Sequence, residues 1–426
     1  MAAKGALTRR RFLGRAGAGL AAPWVLTSGA LGGPAAEPAS ERIALGLVGF
    51  HNMGRGHLNV TLKMPQFEVR ACCDVDSKIL AGALATVEQL SGKKAPGCGD
   101  FRRILDARDI DAVLIAVPDH WHALMSILAC QAGKDVYCEK PLSLSIREGR
   151  RMVDAARRFG RVFQTGTQHR SKGFTRLACE LVRNGRIGKV HTIRTGIAGV
   201  NWPPPPVPDG PAPPELDYEM WLGPAPWRAY NAKRIHYNFR FFWDYSGGQM
   251  TNFGQHSNDL AQWGNGTELT GPISAEGTAD YEPHGWYEVP RRSEAILEYA
   301  NGVRLICRTG GPDGAEFEGE KGKILCGYSG LKAEPPEIAL EPIRPGDVHL
   351  YESRNHHADW AACIKARRRP ICDVEIGHRS ATVCNLANLA IRLRRKIRWD
   401  PDKEEILGDD EAARMLDKAY RAPWTS

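Results

Sequence analysis

The chain has 426 residues, 42% hydrophobic and 25% charged, with a formal net charge of +8. Residues 1–36 hold Lys4, Arg9, Arg10, Arg11 and Arg15 and no acid, so the remainder carries only +3. No Lys/Arg cluster is interleaved with aromatics, which excludes a nucleic-acid-binding face, and no apolar stretch of about 20 residues follows the leader, which excludes a membrane span after processing.

Thr8-Arg9-Arg10-Arg11-Phe12-Leu13 reads as a twin-arginine export signal. A mildly apolar stretch, Gly14–Leu31, and small residues near Ala30, Ala35 and Ala36 complete a cleavable leader within residues 1–40. The expected location is periplasmic or extracellular, reached through the twin-arginine export machinery. Eleven cysteines without a CxxC pair predict neither a metal site nor a disulfide framework.

After the leader, about 385 residues suffice for two domains. Residues 43–48, 67–73, 111–117 and 135–138 are short apolar runs with helical stretches such as 77–91 and 121–132 between them. That alternation predicts an α/β fold with a doubly wound parallel sheet, a Rossmann-type nucleotide domain over 41–165. A second α/β domain spans 166–426. It opens with a helix at 174–184 and a strand at 189–199, then a proline-rich loop, Pro203 to Pro214. Runs 294–300 and 303–309 flank Asn301-Gly302, which predicts a two-residue hairpin turn and long antiparallel strands. Helices at 356–367 and 377–394 close the chain, with Arg367-Arg368-Arg369 and Arg394-Arg395-Lys396 as solvated helix ends.

The first strand runs into Gly49-Phe50-His51-Asn52-Met53-Gly54. A dinucleotide cradle needs glycine at the tight turn and where helix packs on strand, and Gly49 and Gly54 fit those roles. His51 stands at the position of closest approach to pyrophosphate, where it either displaces the phosphates or contacts them. Asp74 ends the next strand twenty residues after Gly54. An acid there accepts hydrogen bonds from ribose hydroxyls and repels a 2′-phosphate, so NAD is expected over NADP.

These residues, with Val117-Pro118-Asp119-His120-Trp121-His122 and Gly133 to Glu139-Lys140-Pro141, resemble the Gfo/Idh/MocA oxidoreductases, as does Gly247-Gly248-Gln249-Met250-Thr251-Asn252 running on to His256 and Asp259. The resemblance implies a bound nicotinamide cofactor touching Asn52, Met53, Pro118, His122 and Glu139. It implies a sugar or polyol substrate between the domains. It also implies a C-terminal domain with a large, mostly antiparallel open sheet that forms a homo-oligomer, a dimer or tetramer.

Oxidising an alcohol needs a hydride acceptor and a base. Lys140, at the carboxyl edge of the sheet, can bond the reacting oxygen and hold alkoxide-like charge. By the family pattern His256 is the general acid/base. Asp259 either orients it, binds a substrate hydroxyl, or is a plain helix-start acid. Asn252 stands where many family dehydrogenases have aspartate, and an amide cannot take a proton at neutral pH. Gln168, Arg170, His236, Arg240 and Trp243 are candidate sugar contacts. The leading expectation is an NAD(P)-dependent oxidoreductase of sugar, polyol or glycoside hydroxyls with a retained cofactor. A redox-neutral glycoside hydrolase that works by transient oxidation and elimination, and a non-catalytic nucleotide- or sugar-binding protein, are the alternatives.

Overall fold

Six consecutive apolar residues make β1 (Ile43–Val48), and every one is buried, as a central strand covered on both faces requires. The computed structural model describes residues 38, 41–200, 206–281 and 286–425. The twin-arginine segment, the leader's small-residue region and the first residues of the proline-rich loop lie outside the described residues. The chain divides into two units, Met1–Arg42 and Ile43–Ser426.

From β1 the second unit continues through α1 (Met53–Thr61), β2 (Phe67–Cys73), α2 (Ser77–Ser91), β3 (Gly97–Cys98), α3 (Arg102–Asp106), β4 (Ala112–Ile115), α4 (Asp119–Gln131), β5 (Asp135–Cys138), α5 (Ile146–Arg158) and β6 (Phe163–Thr165). The strands pair in parallel in the order β3-β2-β1-β4-β5-β6. Strand order reverses between β1 and β4, which opens a crevice at their carboxyl ends. The chain leaves β1 at Gly49 and β4 at Ala116, so both loops line that crevice. Ser145 and Glu148 form a capping box on α5, and Glu148 also accepts from Leu144 N–H and Tyr420 O–H. Such a cap contributes about 1 kcal/mol, and here it anchors the turn after Lys140.

The rest comprises α6 (Gly173–Arg183), β7 (Val190–Ile197), α7 (Tyr218–Leu222), α8 (Gln249–Asn252), α9 (Gly254–Asn265), β8 (Ser274–Asp280), β9 (Arg292–Glu298), β10 (Arg304–Thr309), β11 (Ala315–Gly319), β12 (Gly322–Cys326), β13 (Leu331–Glu334), α10 (His356–Ala366), α11 (Val374–Leu393), β14 (Ile397–Asp400), β15 (Glu405–Ile406) and α12 (Asp410–Arg414). Nine strands form a second sheet, β13-β12-β11-β7-β10-β9-β8-β14-β15, antiparallel except where β10 meets β7. One face packs on α9 and α11 through residues such as Leu260, Leu297, Phe317 and Leu386.

The hairpin between β9 and β10 is present, but its turn differs from the expected one. Tyr299 N–H donates to the Val303 carbonyl, and Gly302 alone has positive φ, at +85°. A two-residue turn of the I′ type needs positive φ at both centres. The loop is therefore three residues long, with glycine at the bulge position. All eleven cysteines are unpaired.

Although α10 comes late in the chain, it returns to the first sheet. Its Trp360, Ala361 and Ile364 pack with Leu45, Leu47 and Phe67. The segment 206–245 reaches the first sheet as well. Ser77 N–H donates to the Glu215 carbonyl and Asp217 N–H to that of Val75, while Trp121 Nε1–H and the His120 ring bond the Trp221 carbonyl. These contacts raise a wall over the β1/β4 crevice. No helix among the described residues is long and apolar enough to cross a membrane.

Candidate active site

A cleft runs along that crevice. Its floor begins at the glycine loop. Gly49 has φ +87°, and a Cβ there would lie 2.4 Å from the Ala116 carbonyl oxygen. At Gly54 a Cβ would lie 2.0 Å from the Gly49 oxygen. Both positions therefore require glycine, in the roles read from the sequence. Asn52, at φ 39°, makes no side-chain cap on α1, so the helix leaves backbone N–H groups for an anion. Asn52 and Met53 line the cleft. Asp74 accepts from Phe50 N–H at 2.8 Å and Asp76 N–H at 3.0 Å, and each oxygen keeps a lone pair for a ribose hydroxyl. Burial holds its carboxyl above the usual range. His51 stacks on His236, with ring centroids 5.0 Å apart and planes 13° from parallel. His236 thus belongs to the cradle end of the cleft, with His51.

Lys140 follows β5, and its Nζ donates to Asn252 Oδ1 at 2.9 Å and to the Asn252 carbonyl at 3.1 Å. Gln249 Oε1 accepts from Asn252 Nδ2, which fixes the amide with its oxygen toward the lysine. Burial pushes the Lys140 pKa down, against Glu139 and Asp119. Asn252 is therefore a positioning residue for Lys140 by geometry.

Beneath Lys140, His57 Nε2–H donates to Glu139 Oε1 at 2.8 Å. A carboxylate only accepts, so the hydrogen of that bond is on His57 Nε2, and His57 Nδ1 shares a second bond with His357 Nε2, also at 2.8 Å. Burial alone would raise the Glu139 carboxyl. The His57 hydrogen bond and nearby Lys140 outweigh it and hold it below the usual range.

His122 is fully buried and bonds the Pro141 carbonyl through Nδ1 and the Val117 carbonyl through Nε2. Two carbonyl acceptors require both nitrogens to carry hydrogen, which makes an imidazolium. Burial opposes this charge, but Cys138, Asp119 and the Pro141 carbonyl raise its pKa to about 10. The sequence reading put His122 on the cofactor. It instead ties the turn after β4 to the turn after Lys140, while Pro118 and Glu139 do line the cleft.

His256, on α9, is 7% exposed, and its buried Nδ1 has no hydrogen-bond partner among the described residues. Its ring meets His169 edge-on at 4.8 Å. Burial, then the charge of Lys140, holds it well below its ordinary pKa, so the imidazole is neutral.

Three expected site residues have other partners. Asp259 pairs with Arg170 (Oδ2 to Nε 2.7 Å, Oδ1 to Nη2 2.9 Å) and accepts from Ser380, with both charges 1% exposed. It thus neither orients His256 nor faces a substrate, and Arg170 is equally committed. The cations of Arg392 and Lys418 lie over the Trp243 ring, 4.1 and 4.5 Å from its centroid, and Trp243 is not among the residues that line the cleft. Gln168 is half-buried beside His169, with its Oε1 buried and unpartnered among the described residues.

Arg240 lines the cleft, its guanidinium 3.9 Å from the Tyr237 ring centroid. Asp119 was missed as a site residue. It is buried at the first turn of α4, bonded by Ser246 Oγ–H, and lines the same cleft. Its place after β4, beside the point where strand order reverses, was the available signal.

A glycine cradle, a ribose-facing acid and a buried lysine at one sheet edge define a nicotinamide-dependent oxidoreductase site. Residues 43–167 match the NAD-binding Rossmann fold of an oxidoreductase family, and residues 190–426 match that family's C-terminal alpha/beta domain. The chain belongs to the Gfo/Idh/MocA oxidoreductase family. It is 26% identical over 271 residues to the uncharacterized oxidoreductase YrbE of Bacillus subtilis, covering 63% of this chain and 67% of that one. Levoglucosan dehydrogenase of Pseudarthrobacter phenanthrenivorans is 31% identical over 157 residues, 36% of this chain and 40% of the relative. A glycosyl hydrolase family 109 protein of Shewanella pealeana is 32% identical over 172 residues, 36% and 37% of the two chains. The chain thus spans well under half the length of the last two. An aldose-aldose oxidoreductase from Caulobacter crescentus, solved with glycerol, shares the fold at a TM-score of 0.63 and 18% identity, over 84% of this chain and 99% of that one.

Proposed function

We propose that this enzyme oxidises or reduces a hydroxyl-bearing carbon of a sugar, polyol or glycoside with a retained NAD. The observation that carries the reading is the buried Lys140 ammonium, held by both oxygens of Asn252 in the cleft that the glycine cradle opens into. NAD, when bound, supplies the hydride acceptor or donor. The Gly49–Gly54 loop and Asp74 hold it, and Asp74 favours NAD over NADP.

Lys140 has three N–H donors and Asn252 occupies two, which leaves one for the reacting oxygen. His256, neutral through burial, accepts the hydroxyl proton. Arg240 and Asp119 offer a donor and an acceptor to neighbouring hydroxyls. His122 and Asn252 hold Lys140 in place.

The twin-arginine motif supports export to the periplasm or beyond with the cofactor already bound. A sheet with one face packed and strands whose buried residues alternate with half-buried ones, as Ala295, Ile296 and Leu297 in β9 and Leu305, Ile306 and Cys307 in β10, supports a homo-oligomer. The family 109 relative supports a second reading, hydrolysis of a glycoside through transient oxidation.

The test is turnover of a panel of sugars, polyols and glycosides, followed by nicotinamide absorbance and by released sugar. Absorbance change identifies net dehydrogenation, and released sugar without it identifies the redox-neutral route. Lys140→Ala is expected to abolish either while leaving NAD binding intact. Unchanged turnover in that variant would overturn the assignment.

A further inference from the structure

His51 lies in the glycine loop where the backbone passes closest to a dinucleotide's pyrophosphate. His236 arrives from the wall segment, on the turn His236–Phe241, and stacks on it. Its φ of +50° is a left-handed conformation that a non-glycine residue holds only where its surroundings impose it. Both rings line the cleft, and neither makes a hydrogen bond among the described residues. All four ring nitrogens are therefore uncommitted, at the uncapped N-terminus of α1.

We propose that His51 and His236 together grip the pyrophosphate of the bound dinucleotide, one from each wall of the cleft, and so retain the cofactor. The proposal rests on the NAD reading above. Neutral imidazoles each offer one N–H, and a diphosphate accepts from both. Protonation converts those bonds into charge-assisted ones. The charged groups around the pair are Arg55 on α1, Asp74 at the end of β2 and Asp76 at the start of α2. Burial holds both imidazoles below their ordinary range and the two acids oppose it, so the grip strengthens as the imidazoles gain protons at falling pH.

The experiment is the release of NADH from the full-length holoprotein, followed by its fluorescence on dilution into excess NAD across pH 5.5–8.5. Wild type should release more slowly as pH falls through the imidazole range. His236→Phe keeps a ring but removes both nitrogens, and is expected to release about tenfold faster with a shallower pH dependence, since only His51 is left to gain a proton. His51→Gly should behave alike, and it carries the test should His236→Phe not fold. Variants that release at the wild-type rate and with the wild-type pH dependence would overturn the grip and leave the NAD reading standing. A wild-type protein that holds no nicotinamide nucleotide would overturn both.

Discussion

Replacing Asn252 by aspartate sets a carboxylate 2.9 Å from the Lys140 ammonium. At an effective dielectric of about 20, two unit charges at that distance attract by about 6 kcal/mol. Desolvating a second buried charge offsets much of this. Opposite charges this close typically move a pKa by about 1–3 pH units, or roughly 1.4–4 kcal/mol. Burial now pushes the Lys140 pKa down, with Glu139 and Asp119 opposing it. The new carboxylate opposes it further, so the pKa rises. If the protonated lysine is the active form, the alkaline limb of kcat/KM in Asn252→Asp moves up by about 1–3 pH units. The assay is a pH–rate profile of both proteins on the same substrate. An alkaline limb that stays in place would show that Lys140 does not titrate there, or that the amide is not its partner during turnover.

Asp259→Asn leaves the Arg170 guanidinium buried without its counter-charge, which should cost about 3–5 kcal/mol in urea unfolding. A loss under about 1 kcal/mol would mean that the pair is not closed to water. His122 is expected to remain an imidazolium well above neutrality, losing its proton near pH 10. Its folded pKa lies above the unfolded value of about 6.5, so its contribution to stability is full below that pH and lost as pH rises through 10. Nitrogen NMR of the ring at pH 8 checks this, and a neutral tautomer there would refute it. Among the cysteines, Cys98 should be the first alkylated near neutrality, because a hydrogen bond from Cys73 lowers its thiol to about 7. Burial pushes neighbouring Cys72 to about 12. Peptide mapping after brief iodoacetamide treatment reads the order, and prior labelling of Cys72 would contradict it.

Features fixed by local chemistry were legible in the sequence. Gly54 is required by its contact with Gly49 inside one contiguous strand–turn–helix unit, and Gly49 is marked by the turn at the end of β1, while the atom it must clear, the Ala116 oxygen, comes from the end of β4. Asp74 is fixed by the strand that carries it. What failed to show depends on partners distant in the chain. Asp259 and Arg170 each looked available because their pairing spans 89 residues. His122 reads as a motif residue, and only the fold shows two carbonyls from different turns around it. Trp243 is covered by cations that arrive 149 and 175 residues later. The return of α10 to the first sheet is equally silent, since an apolar helix face does not say which sheet it covers. Asp119 was visible as sequence but not as a site residue, because only the closing wall brings Arg240 near it. In the hairpin, Asn-Gly correctly marked the reversal, but packing of Tyr299 and Val303 against the sheet lengthened the turn by one residue.

The central claim is that the cleft holds NAD and keeps it. Denaturing extraction of the purified protein, with the released nucleotide identified by mass spectrometry, tests this most directly. Stoichiometric NAD(H) is the predicted result. An empty protein whose melting temperature does not change on adding NAD or NADP would contradict the account.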